Sequence, residues 1–150
     1  VSKGAVEVMQ KRGVYLAEQA DFFAYSGKFD TLFLLMNGIG ICGPLERLDD
    51  FFAQCKKLLN PGGQVLLDSS DILYMYEDED RSVAIDLNAG YYGEVEYQFA
   101  YKGRKGKPFR WLFVDFDLLS EKAAENGFAC ELVAEGPHYD YLARLFKQKF

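Results

Sequence analysis

Histidine, cysteine and basic charge are the scarce features of this 150-residue chain, which holds one histidine and three cysteines. A lone imidazole, His138, does not supply a histidine-based metal site, and no metal is expected. Cys42, Cys55 and Cys130 are odd in number, far apart and without a C-x-x-C spacing, which argues against a disulfide framework or a zinc centre; they read as reduced core thiols. No run of eighteen apolar residues is present, and the opening "VSKGAVEVMQKRG" has no signal-like apolar core. Membrane insertion and secretion are therefore not indicated, no membrane partner is expected, and a cytoplasmic location follows by default. Basic excess is also missing: the net charge is −6 and the isoelectric point about 4.8, so nucleic acid is not expected as a partner. The one basic cluster, "YKGRKGKPF", is short and broken by glycines, and reads as a solvated hairpin tip. Val1 is not an initiator methionine, which suggests that something is missing upstream.

What is present is a balanced globular composition, 49% hydrophobic and 27% charged, of a length that suits one domain over residues 1–150. Ser2 is placed to cap a helix that carries Ala5, Val6 and Met9 on one side and stops at Gly13. "VYLAEQ" reads as a short strand. "DTLFLLM" is an almost unbroken apolar run of strand length, the pattern of a strand covered on both faces. Beyond Pro44, the spacing of Leu45, Leu48, Phe51, Phe52, Cys55, Leu58 and Leu59 predicts an amphipathic helix, ended by "NPGG" and followed by the buried strand "QVLLD". An acidic, tyrosine-bearing connection leads to "YYGEVEYQFAY" and "FRWLFVDF", which flank "KGRKGKP" as an antiparallel hairpin. A helix in "DLLSEKAAENG" and strands in "FACELVAEG" and "YDYLARLFKQ" complete an α/β pattern, the last strand being confusable with a short helix.

Between the first apolar strand and its helix lies "GIGICG", a match to the G-x-G-x-x-G pattern of dinucleotide-binding turns, with Asp68 at the end of the next strand as the acidic residue that pattern needs. In that turn the helix begins near the second glycine. Pro44 would then fall inside it, at a cost of about 3 kcal/mol, so Pro44 marks the helix start and the glycines precede it as an open loop.

The order "ADFFAYSGKFDTLFLLMNGIG", an amphipathic helix, "LLNPGGQVLLDSSD", a hairpin and "LLSEKAAENGF" resembles the class I S-adenosylmethionine-dependent methyltransferases of the small-molecule type. The residues that carry the resemblance are Asp21, Phe29 with Asp30, and Leu59 with Pro61, Gly62 and Gly63, and it spans about residues 1–148. It implies a partial Rossmann-like fold: a mixed sheet with helices on its faces and an antiparallel hairpin inserted after the fifth family strand. It also implies S-adenosylmethionine as cofactor and a small-molecule methyl acceptor. By that resemblance Asp21 accepts a hydrogen bond from adenine, Phe22 approaches the ring, and Met36, Asn37 and Gly38 lie beside the sulfonium; equally, Asp21 simply caps a short helix. Asp68, Ser69, Ser70 and Asp71 would follow the fifth strand where an acceptor enters. Tyr74, Tyr76, Tyr91, Tyr92 and Trp111 could line its pocket or serve only as packing, and His138 could assist proton removal or be structural.

The glycine-rich loop and ribose-binding acid that mark this family are not found in the chain. The resemblance places them in strands that precede Val1, so weak cofactor binding or none is expected of these residues alone. With the family strand order 3-2-1-4-5-7-6, "TLFLLM" becomes an open edge, and a homodimer through that edge or a rearranged amino-terminal segment over it is expected. Two other readings stay open: a non-catalytic dimerisation or scaffold module, and an NAD(P)-dependent oxidoreductase.

Overall fold

The computed structural model describes residues 2–80, 82–85 and 90–147. Helix α1 (Lys3–Lys11) opens the chain. Ser2 stands at its amino end but makes no side-chain cap, and Gly13 follows its carboxyl end at φ 87°. Of its apolar side, Val6 is buried while Ala5 is exposed. The segment expected as the strand "VYLAEQ" has no strand structure, and Tyr15 and Leu16 are almost fully exposed. A strand needs a neighbouring strand to take its backbone hydrogen bonds, and among the described residues no strand pairs with this segment.

Strand β1 (Phe29–Leu34), helix α2 (Leu48–Leu58) and strand β2 (Leu59–Ser70) form the expected crossover, with β1 and β2 parallel. β2 already begins in "LNPGG", so the turn that stops the helix is also the start of the strand, with Gly62 at φ 80° allowing the bend. The hairpin follows as β3 (Glu94–Tyr97), β4 (Ala100–Tyr101), β5 (Arg104–Lys105) and β6 (Phe109–Leu112), with β3 against β6 and β4 against β5. Helix α3 (Phe116–Glu125), β7 (Phe128–Glu135) and β8 (Asp140–Lys147) close the fold, and the last segment is a strand.

The main sheet runs β1-β2-β8-β7, with β8 antiparallel to both neighbours. In family terms this is the order 4-5-7-6. The core lies between the sheet and the helices α2 and α3: Phe51, Phe52 and Cys55 from α2 and Leu119 and Ala123 from α3 share one buried cluster with Val65, Leu67, Ala143 and Leu145. Within each strand these residues are two positions apart, as one face of a pleated strand requires. At about 25 cal/mol per Å² of buried apolar surface, this cluster is the main source of stability.

The expectation that β1 is covered on both faces is not met. Leu34 is buried, yet Phe33 is 67% exposed and Leu35 half exposed. An apolar run reports what a strand avoids, not what is present to cover it. Among the described residues β1 has β2 on one side and no strand on the other; the segment 14–20 does not pair with it.

Candidate functional site

The carboxyl ends of β1 and β2 lie side by side, and in open α/β sheets this is where loops diverge and ligands sit. β1 ends in an unusual backbone. Met36 and Asn37 both adopt left-handed conformations, at φ 62° and 54°, which costs about 1–2 kcal/mol per non-glycine residue. The compensation is local. The Asn37 amide donates to Asp68 Oδ1 at 2.8 Å, its side-chain Nδ2 donates to the Leu112 carbonyl at 3.0 Å, and its Oδ1 accepts from Ser69 Oγ at 2.8 Å. Ser69 is buried, and its Oγ also accepts the Val114 amide at 3.0 Å. Val114 in turn offers its carbonyl to the Tyr141 hydroxyl at 2.7 Å. One network therefore ties the ends of β1, β2 and β6 to the start of β8, and leaves Met36 projecting, 90% exposed.

The glycine segment is not an open loop. Gly38–Cys42 is a 3₁₀ turn with Ile39, Gly40 and Cys42 buried, and the amides of Gly40 and Gly43 are taken by the carbonyls of Asn37 and Gly40. Such amides are not free to cradle a phosphate. Pro44 does precede the helical segment, which starts as a 3₁₀ turn at Leu45 and becomes α2 at Leu48. Gly40 is required by Trp111: a Cβ built on it would overlap the indole at Nε1 and Cε2. Gly43, at φ 74°, supplies the left-handed bend into Pro44. Burial raises the Cys42 thiol to about 12, and raises that of Cys55 as well.

Asp21 and Phe22 line a surface cleft of about 580 Å³ with Ile41 and Arg47. Asp21 caps the short turn Phe22–Ala24 by accepting the Phe23 amide at 3.0 Å. Phe22 stacks on Phe51, and its carbonyl accepts from buried Gln54 at 2.7 Å. The Arg47 guanidinium lies over the Phe23 ring at 4.0 Å. Met36 and Asn37 do not line this cleft.

Asp71 lies on another, larger cleft of about 680 Å³, walled also by Asp115, Phe116, Asp117, Glu135, Tyr139, Asp140 and Tyr141. Five carboxylates and no basic side chain line it. Tyr92 donates to Asp71 Oδ1 at 2.8 Å, and Tyr91 donates to Asp115 Oδ2 at 2.7 Å; burial, and then these carboxylates, raise both phenols well above the usual tyrosine range. Asp115 also caps α3 through the Leu118 amide. Tyr74 stacks on Tyr139 at 5.0 Å. His138 stands in the exposed β7–β8 connection, its amide on Asp140, and does not line the cleft. Trp111 packs over Gly40 and against Phe109.

The structure thus gathers Asn37, Asp68 and Ser69 into one network and Asp71, Tyr91, Tyr92 and Asp115 into another, with Asp21 and Phe22 on a separate cleft. Sequence reading missed Asp115 and Tyr141. Asp115 carried a signal, as an aspartate placed to cap the helix of "DFDLLSEKAAE"; nothing local distinguishes Tyr141 from any other strand aromatic. Among the described residues no group of three or more His, Cys, Asp or Glu is arranged to hold a metal ion, and no helix is long and apolar enough to cross a membrane.

The chain has counterparts among solved structures. An S-adenosylmethionine-dependent methyltransferase from Bacteroides fragilis, solved with S-adenosyl-L-homocysteine, is 48% identical and superposes with a TM-score of 0.91 over 99% of this chain. The fold is that of the S-adenosylmethionine-dependent methyltransferases. This chain spans 61% of the Bacteroides methyltransferase. The DhpI complex with S-adenosylhomocysteine matches 97% of this chain and 62% of that one at 18% identity and TM-score 0.66. The glycopeptide N-methyltransferase MtfA, also with S-adenosylhomocysteine, matches 99% and 71% at 15% identity and TM-score 0.60. These last two share the methyltransferase fold alone. S-adenosylmethionine and its product are the ligands with which these methyltransferases were solved. No protein-family model and no curated protein matches the chain.

Proposed function

We propose that this chain is the part of a methyltransferase that holds the methyl donor's reacting end and the acceptor, and that the reaction is transfer of a methyl group from S-adenosylmethionine to a small molecule. The observation that carries this reading is the 48% identity to a methyltransferase solved with its product, over almost the whole of this chain. The residues fit the cofactor. The cleft of Asp21, Phe22 and Ile41 has the size and mixed lining of a site for a nucleoside, with one carboxylate to accept from an amino group. Met36, Asn37 and Gly38 form the clamped strand end that would face the sulfonium. S-adenosylmethionine supplies an electrophilic carbon, so the protein's contribution is position and alignment. Asn37 keeps the strand end rigid through Asp68, Ser69 and Leu112, and the acceptor enters by the cleft at Asp71. Five carboxylates there disfavour an anionic acceptor and favour a neutral or cationic one. Tyr91 holds Asp115 and Tyr74 stacks on Tyr139 beside that cleft, whereas Trp111 and His138 do not line it.

The test is titration of the 15N-labelled chain with S-adenosylhomocysteine, and separately with NAD. Shifts of the Asn37 and Gly38 amides with the first and not with NAD support the reading. No shift at millimolar S-adenosylhomocysteine, or an NAD response at the glycine turn, overturns it. The family's glycine-rich loop lies outside these residues, so affinity is expected to be weak; micromolar binding by calorimetry would overturn that part. A second copy at the β1 edge, open among the described residues, is the alternative contact: a dimer lost with Phe33→Lys and kept after charge reversal of the hairpin would support it.

A further inference from the structure

The hairpin is the one strongly basic feature of an acidic chain, and the proposed reaction does not use its tip. Residues 97–110 hold Lys102, Arg104, Lys105, Lys107 and Arg110 and no acidic side chain, so against a total of −6 the remainder of the chain carries −11. Arg110 pairs with Glu94 at 3.5 Å; the other four make no ion pair among the described residues. Lys102 and Gly103, both at positive φ, make the tight turn that brings these charges together. Beside them lies an aromatic stripe. Tyr97 faces Phe109 across the β3–β6 pair, Phe99 packs on Phe109 at 5.1 Å, and Phe99 and Tyr101 are 73% and 74% exposed.

Basic groups around exposed rings call for an acidic surface with an apolar floor. An anionic membrane or a nucleic acid would attract the arm and repel the −11 remainder. A second copy of this chain offers a match: the 680 Å³ cleft, where five carboxylates surround Phe116, Leu132, Tyr139 and Tyr141 with no basic residue. We propose that two copies exchange arms, each seating its hairpin tip at the acidic cleft of the other, so that the partner lends Lys102, Arg104 and the ring of Tyr101 to the mouth of the cleft. Reciprocal exchange uses both arms and both clefts and closes at a dimer. That this mouth is also the acceptor's entrance rests on the methyl-transfer reading; the contact between copies does not.

Sedimentation equilibrium of the full chain tests the contact without any enzyme assay. The dimer should weaken by about tenfold or more between about 0.05 M and 0.5 M salt. K102E/R104E/K105E should abolish it, and D117K/E135K should do the same from the other side. Mixed together, these two charge-reversed chains should form a heterodimer, with circular dichroism confirming that each is folded. A wild type monomeric at low salt overturns the proposal. So does a dimer that survives arm reversal, or one that is lost instead with Phe33→Lys on β1, since either places the contact elsewhere. Failure of the two reversed chains to pair would show that arm and cleft do not meet.

Discussion

Replacing Gly40 by alanine isolates what the glycine turn is for. Its φ is not positive, so alanine fits the backbone there, and the lost freedom of the unfolded chain would by itself stabilise by about 0.4–1 kcal/mol. The added Cβ, however, overlaps the indole of Trp111, a rigid ring held between Gly40 and Phe109, where no flexible end can swing aside. Overpacking of this kind costs about 1–3 kcal/mol. The net expectation for Gly40→Ala is a loss of about 1–2 kcal/mol, or about 2–8 °C in Tm for a domain of this size. Trp111 is the only tryptophan, so its emission reports the displaced ring directly during urea unfolding. The decisive assay is a double-mutant cycle with Trp111→Leu, followed by far-UV circular dichroism, in which the cost of Gly40→Ala should fall below about 0.5 kcal/mol. An equal cost in both backgrounds, or a stable Gly40→Ala protein with unmoved emission, would refute the argument that this glycine exists to seat the tryptophan.

Asn37→Ala should cost about 3 kcal/mol by urea unfolding, from the left-handed backbone and two lost side-chain hydrogen bonds, and Asn37→Gly should recover about 1 kcal/mol of it. Asp115→Ala removes both the α3 cap and the acceptor of Tyr91; a loss of about 3 kcal/mol is expected, with Asp115→Asn milder because the amide oxygen still caps. The Cys42 thiol, raised to about 12 from an ordinary 9.0, is stabilised in its neutral form by folding. Its contribution is complete below pH 9 and is lost as pH rises from 9 toward 12, by up to about 4 kcal/mol; the urea midpoint should therefore fall over that range, and less steeply in Cys42→Ala. A native thiol at this position that reacts with Ellman's reagent at pH 8 would contradict its burial.

Much of the architecture was legible because its signals are local. The spacing of Phe51, Phe52 and Cys55 reads as a helix face whatever lies nearby, and Pro44 places the helix start by backbone chemistry alone. The sheet order followed from the resemblance, since pairing between Gln64 and Phe146 leaves no mark in either segment by itself. Where the reading failed, the missing information was tertiary. "VYLAEQ" has strand-like side chains, yet among the described residues no strand pairs with it. Phe33 belongs to an apolar run whose outer face nothing described covers. Gly38, Gly40 and Gly43 had the aspect of space left for a ligand; two of their amides serve the turn itself, and a tryptophan far along the chain fills the space over Gly40. The Asn37 clamp was half visible: Asn37, Asp68 and Ser69 were each marked, but their joining depended on Leu112 and Val114, which bring only carbonyls and amides to the site.

The position of β8 between β2 and β7 bears on how the chain is made. Synthesis runs from the amino end, and the parallel pair β1–β2 with α2 can assemble as soon as Ser70 has emerged. From then until β8 appears, seventy residues later, β2 has an open edge and β7 has no other strand to pair with, because each reaches the other only through β8. The nascent chain therefore passes a long interval with the apolar edge of β2 unsatisfied, β7 joining it only near the end, and β8 closes both in a single step. Slowing translation in the hairpin would lengthen that interval, and holding back the last few residues would leave the sheet in two pieces.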